Sequence, residues 1–85
     1  MTNLYAQYRA KLRALVTSAM PEDAFESAIL QLARDLRDDL ARLNPAKREV
    51  LCDDLGVQLE SELYRATDSR QRRVLIRLLK VLDHT

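Results

Sequence analysis

Apolar residues recur along this chain at intervals of three and four, the spacing that places side chains on one face of an α-helix. Four stretches with this pattern are separated by short polar or proline-containing breaks, and they predict helices over about 3–19, 22–43, 45–66 and 70–83. The apolar face of the first comprises Leu4, Tyr5, Tyr8, Leu12, Leu15, Val16 and Ala19. The pattern predicts an all-α fold, a small antiparallel bundle of three to four amphipathic helices.

The breaks carry signals for helix starts. Pro21 suits the first turn of a helix, where its missing N–H would have no partner, and the acids Glu22 and Asp23 follow it. Asn44–Pro45 repeats the signal, with a capping side chain ahead of the proline. Residues 67–69 are polar and separate the last two helices. The second and third helices are therefore expected to begin close to these prolines.

The third predicted helix has two apolar faces. One consists of Leu51, Cys52, Leu55, Leu59, Leu63 and Ala66, and a second, on the opposite side, consists of Val50, Val57 and Tyr64. A helix in a small bundle usually needs only one apolar stripe. The apolar arc of the last helix is also wider than one neighbouring helix would cover. We therefore expect a homodimer with Val50, Val57 and Tyr64 as its self-association face; the alternative is a lone bundle that covers both faces.

The composition also favours association with a second chain. The 85 residues fit one domain, 1–85, and a domain of this size is only marginally stable unless it gains a disulfide, a metal or a partner chain. Cys52 is the single cysteine and His84 the single histidine, so neither a disulfide within the chain nor the usual zinc ligand set is available. No cofactor or metal is expected. The chain shows no secretion signal or membrane span, which together with the thiol favours a cytoplasmic location.

Charge is balanced overall, at +1, but unevenly placed: basic outer segments bracket an acidic middle. In the last helix a basic stripe runs along one side and consists of Arg70, Arg73, Arg77 and Lys80. This basic stripe is a candidate site for an acidic partner. Pairing with acidic helices of the same chain is the alternative and is favoured over nucleic acid, because the total charge is near neutral and interleaved aromatic residues are absent.

Catalysis is not indicated. Cys52 is followed by Asp53 and Asp54, whereas a nucleophilic thiol needs a base or a cation beside it. The acids at 35, 38 and 39 alternate with arginines at helix-surface spacing, which is typical of a solvated, ion-paired surface. We expect a buried structural thiol and no enzyme.

The segment Leu51–Val57 resembles the first helix and turn of the helix-turn-helix DNA-binding family. The matching residues are Cys52, Leu55, Gly56 and Val57. The family places an apolar residue six positions after the glycine, where this chain has Glu62, and Glu60 adds another acid to the would-be recognition helix. A glycine inside one longer helix is the preferred interpretation of Gly56.

Two further segments, Glu26–Leu30 and the run from Val74 to Thr85 with Arg77 and Val81–Leu82, are similar to the small helical connector proteins of enteric bacteria that influence biofilm formation. That resemblance implies a dimeric regulator that acts by binding other proteins.

The leading hypothesis is a non-enzymatic protein–protein interaction module, a small regulator or inhibitor that binds a larger protein. A small DNA-binding transcriptional regulator that uses the Leu51–Val57 segment or the basic stripe is one alternative. A subunit or chaperone of a larger assembly is another.

Overall fold

The computed structural model describes residues 4–83, which form four packed α-helices and no strand. They are α1 (Leu4–Thr17), α2 (Glu22–Ala41), α3 (Pro45–Arg65) and α4 (Ser69–Asp83). The all-helical bundle predicted from the apolar spacing is confirmed. The expected helix start at residue 3, and His84, lie outside the described residues.

Helix α4 makes the most extensive packing contacts in the bundle, mainly with α3 and α2 and to a smaller extent with α1. Its side chains Val74, Leu75 and Leu78 are buried where these helices meet. The rest of the core is built from Tyr8, Leu12, Leu15, Phe25, Ile29, Leu32, Leu36, Leu40, Leu55, Leu59 and Ala66. The wide apolar arc of α4 is thus explained within one chain, and it no longer supports a second chain.

The end of α1 differs from the expectation. The helix ends at Thr17, and Ala19, placed by its spacing on the apolar face, is exposed with φ of 53°. The cause is Pro21, which disfavours helical geometry at the residue before it, so the chain leaves the helix ahead of the proline. A left-handed residue commonly ends a helix, and glycine is the residue that usually provides it.

Side chains cap the starts of α3, as the sequence predicts, and of α4. The Asn44 Oδ1 accepts a hydrogen bond of 2.9 Å from the Lys47 N–H, with Pro45 in the first turn of α3. At the start of α4 the Asp68 Oδ1 accepts one of 2.8 Å from the Arg70 N–H. These caps satisfy backbone donors that have no partner inside the helix.

The ends of α2 and α3 are each closed by an arginine from the next helix. The Arg48 Nε donates to the Leu40 carbonyl at 3.0 Å and its Nη2 donates to the Leu43 carbonyl at 3.1 Å. Arg72 donates in the same way to the carbonyls of Leu63 and Ala66, each at 3.3 Å. A cation at this position also opposes the negative end of the helix dipole. Each junction therefore depends on a side chain that belongs to the following helix.

One polar link reaches into the core. The Tyr8 side chain is buried, and its hydroxyl donates to the Asp39 Oδ2 at 2.6 Å, joining α1 to α2. Burial, followed by the bond to the carboxylate, raises the pKa of Tyr8 well above its usual range. Asp39 is thus not merely one of the solvated acids expected on α2, although it also lies 3.7 Å from Arg42.

Candidate functional site

Val50, Val57 and Tyr64 form an apolar stripe on the side of α3 that faces away from the bundle. Their exposed fractions are 68%, 68% and 91%. Residues seven apart lie about 20° from each other around a helix, so the three share one narrow line about 21 Å long. The alternative of a lone bundle that covers both faces of α3 is therefore wrong, because no residue between 4 and 83 covers this stripe.

Acidic side chains border this stripe. Asp53, Asp54 and Glu60 are exposed and lie within about 60° of Val57 around the helix. Lys47 and Arg65 are farther round, at about 80°. We call the stripe together with its three acids the outer face of α3. It combines an apolar centre with a negative border.

The basic stripe of α4 is divided in two. Arg73 forms ion pairs with Glu22 and Glu26 of α2, both at 2.5 Å, and Arg70 lies 3.6 Å from Glu22. Both guanidinium groups also lie over the Phe25 ring, 4.5 Å and 5.4 Å from its centre. The bond to Glu22 raises the pKa of Arg73 above its usual value. This half of the stripe serves contacts within the chain.

Arg77 and Lys80, the other half, are exposed and form no ion pair with any residue between 4 and 83. They line one side of a groove between α2 and α4. The groove consists of two adjoining depressions of about 260 and 300 Å³, both of which include Leu30, Arg77 and Lys80.

We call this feature the α2–α4 groove; its lining includes Leu30, Ile76, Arg34, Arg37, Arg77 and Lys80. Leu30 and Ile76 supply an apolar floor and are 42% and 41% exposed. The four cations stand at its edges, and the acid that lines it, Glu26, is held by Arg73. The groove therefore combines an apolar floor with a positive border.

Sequence reasoning found only the α4 side of this groove. Leu30 lies off the apolar stripe that Phe25, Ile29, Leu32 and Leu36 form on α2, and that displacement is a usable signal. Arg34 and Arg37 instead appeared to be surface partners of nearby acids. Which helices are neighbours decides whether such residues meet, and spacing within one helix does not contain that information.

The helix-turn-helix geometry is not present in α3. The helix continues from Pro45 to Arg65 through Gly56, so Leu51–Val57 contains no turn. Cys52 lies on the leucine face against the core but is half-buried rather than buried. An uninterrupted helix is what the preferred interpretation of Gly56 predicts.

Further depressions lie along α1. The depression between α1 and α3, about 370 Å³, contains Arg9, whose Nε lies 2.9 Å from Glu62.

Across residues 4–83, no three His, Cys, Asp or Glu side chains gather as a metal site would require. None of the four helices has both the length and the apolar character needed to cross a bilayer.

Comparison with family models, curated proteins and solved structures finds no match to this chain. The two family resemblances noted in the sequence therefore gain no support.

Proposed function

We propose that this chain is a non-enzymatic protein–protein interaction module, a homodimer that acts as a small regulator or inhibitor by binding a larger protein. The observation that carries the proposal is the outer face of α3. Val50, Val57 and Tyr64 remain exposed although they occupy three successive positions on one line of a capped helix. Exposed apolar residues that recur on one line of a helix favour contact with another protein.

The shape and composition of the surface suit association. The outer face of α3 extends over about 21 Å, and aromatic residues such as Tyr64 are enriched at interfaces. The stripe makes no contribution to the core, so selection for stability alone does not account for it.

Sedimentation equilibrium at micromolar concentration tests self-association. The wild-type chain should sediment as more than one copy of the 9.8 kDa unit. Val57→Asp should weaken association by about tenfold or more, because a charge would lose water at the interface. Ala10→Asp is the matched control, since it adds the same charge at an exposed position of α1. If Val57→Asp and Ala10→Asp associate equally well, the interface does not include the outer face of α3.

Binding to a larger protein is tested by affinity purification from the native host. A partner should be retained by the wild type and by Ala10→Asp, and its amount should change when exposed residues of the α3 outer face or the α2–α4 groove are substituted. The DNA-binding alternative is tested by an electrophoretic shift assay at two salt concentrations. Tight duplex binding that falls steeply with salt would replace the present proposal.

A further inference from the structure

The outer face of α3 and the α2–α4 groove have opposite electrostatic borders around similar apolar centres. On α3, Val57 is bordered by the carboxylates of Asp53 and Glu60. In the groove, Ile76 is bordered by Arg77 and Lys80, which have no acidic partner in the described part of the chain. Complementary potentials of this kind favour one partner over others and set its register.

Pairing of α3 with α3 lacks this complementarity. Around Val57, Asp53 and Glu60 lie on the same side of the helix, about one turn before and one turn after it. In an antiparallel pair centred on Val57, Asp53 would therefore face Glu60 of the second copy. In a parallel pair it would face Asp54 instead. Either arrangement brings carboxylates together, and juxtaposed like charges oppose binding.

Length also fits. The groove is lined from Glu26 to Arg37 on α2 and from Arg73 to Val81 on α4, so it extends over about 12 to 17 Å, or two to three helical turns. Two residues of the stripe, seven positions apart, span about 10.5 Å. The groove therefore takes Val57 together with one of its two neighbours on the stripe.

We propose that the α2–α4 groove of one copy receives the outer face of α3 of a second copy, so that self-association joins two different surfaces. This inference rests on the self-association part of the proposed function and specifies its geometry. The contact closes into a dimer if both copies can exchange it around a twofold axis, and it continues into longer assemblies if they cannot. A larger protein with an acid-bordered apolar helix would compete for the same groove.

Mixing two variants tests the proposal. Val57→Asp damages the α3 face and leaves the groove intact, whereas Arg77→Glu damages the groove and leaves the face intact. Each alone should associate at least about tenfold more weakly than the wild type. An equimolar mixture should recover association, because it contains one intact face and one intact groove. Arg13→Glu is the matched control, an exposed arginine of α1 that should associate like the wild type.

Carbodiimide cross-linking gives an independent readout that does not require a substitution. This reagent joins lysine amines to nearby carboxylates, and the chain has lysines only at 11, 47 and 80. In a mixture of ¹⁵N-labelled and unlabelled protein, mixed-isotope peptides should join Lys80 to Asp53, Asp54 or Glu60. Lys11 lies on α1, outside both surfaces, and is the internal control.

Salt dependence has opposite signs for the two geometries. Opposite charges across the contact make association weaken as NaCl rises from about 50 to about 500 mM, whereas apposed carboxylates would make it strengthen. Association that strengthens with salt, Arg77→Glu that associates like the wild type, or a variant mixture that stays monomeric would each overturn the proposal. A monomeric wild type would also overturn it, while binding of a larger protein would still be decided by the affinity purification. Circular dichroism of each variant confirms that its helices are intact.

Discussion

Replacing Tyr8 with phenylalanine should destabilise the fold in a way that depends on pH. The substitution keeps the buried ring and removes only the hydroxyl that donates to the Asp39 carboxylate at 2.6 Å. A hydrogen bond to a charged group contributes about 1.5–3 kcal/mol. The Asp39 side chain keeps 28% exposure and can recover water, so the lower end applies. We expect Tyr8→Phe to lower the free energy of unfolding by about 1.5 kcal/mol near neutral pH, which corresponds to a melting temperature roughly 6–12 °C lower.

The pH dependence follows from the raised pKa of Tyr8. In the unfolded chain a tyrosine ionises near pH 10, whereas in the fold burial and the carboxylate keep Tyr8 protonated. A group whose pKa is raised by folding stabilises the fold fully below its unfolded pKa and loses that contribution as the pH rises. Between about pH 8 and about pH 11 the wild type should lose about 1.4 kcal/mol that Tyr8→Phe does not lose. The difference in the free energy of unfolding between the wild type and Tyr8→Phe should therefore nearly disappear at about pH 11.

Urea unfolding at both pH values measures the effect, at a protein concentration low enough for the chain to be monomeric, and Tyr64→Phe is the matched control. Tyr64 is 91% exposed, so its change should stay within about 0.5 kcal/mol at either pH. A Tyr8→Phe protein as stable as the wild type at neutral pH would show that the hydroxyl bond contributes nothing. A gap that stays constant up to pH 11 would refute the ionisation argument while leaving the bond intact.

Three further substitutions test local features by urea unfolding. Ala19→Gly should stabilise the fold by about 0.5–1 kcal/mol, because glycine accepts the left-handed conformation that costs alanine energy; no gain would place the strain elsewhere. Gly56→Ala should stabilise it by about 1 kcal/mol, since the added methyl group would meet Leu82 at an ordinary contact distance of 3.8 Å; a loss of stability would reveal crowding between α3 and α4. Arg48→Met should destabilise it by about 1 kcal/mol by removing the cap of α2 while keeping the side-chain length; an unchanged midpoint would mean that water replaces the guanidinium without cost.

Local features of this fold could be predicted from the sequence because they depend on neighbouring residues. The Asn44–Pro45 start of α3 is one example, and the exposed second face of that helix is another. The α2–α4 groove could not be predicted, because Leu30 and Ile76 come together only when α4 packs against α2. The link between Tyr8 and Asp39 could not be predicted for the same reason, as it joins two residues that are 31 positions apart in the chain.

The arginine caps couple the unfolding of one helix to that of the next. The last turn of α2 cannot open without releasing Arg48 from the first turn of α3, and the end of α3 is tied to α4 through Arg72 in the same way. Helix ends ordinarily fray independently of one another, and such local openings have the lowest free energies that amide hydrogen exchange detects. Here the amides next to both junctions should exchange at rates close to those of the buried helix centres. The bundle then behaves as a single cooperative unit, which holds the outer face of α3 and the α2–α4 groove in fixed relation before any second protein arrives.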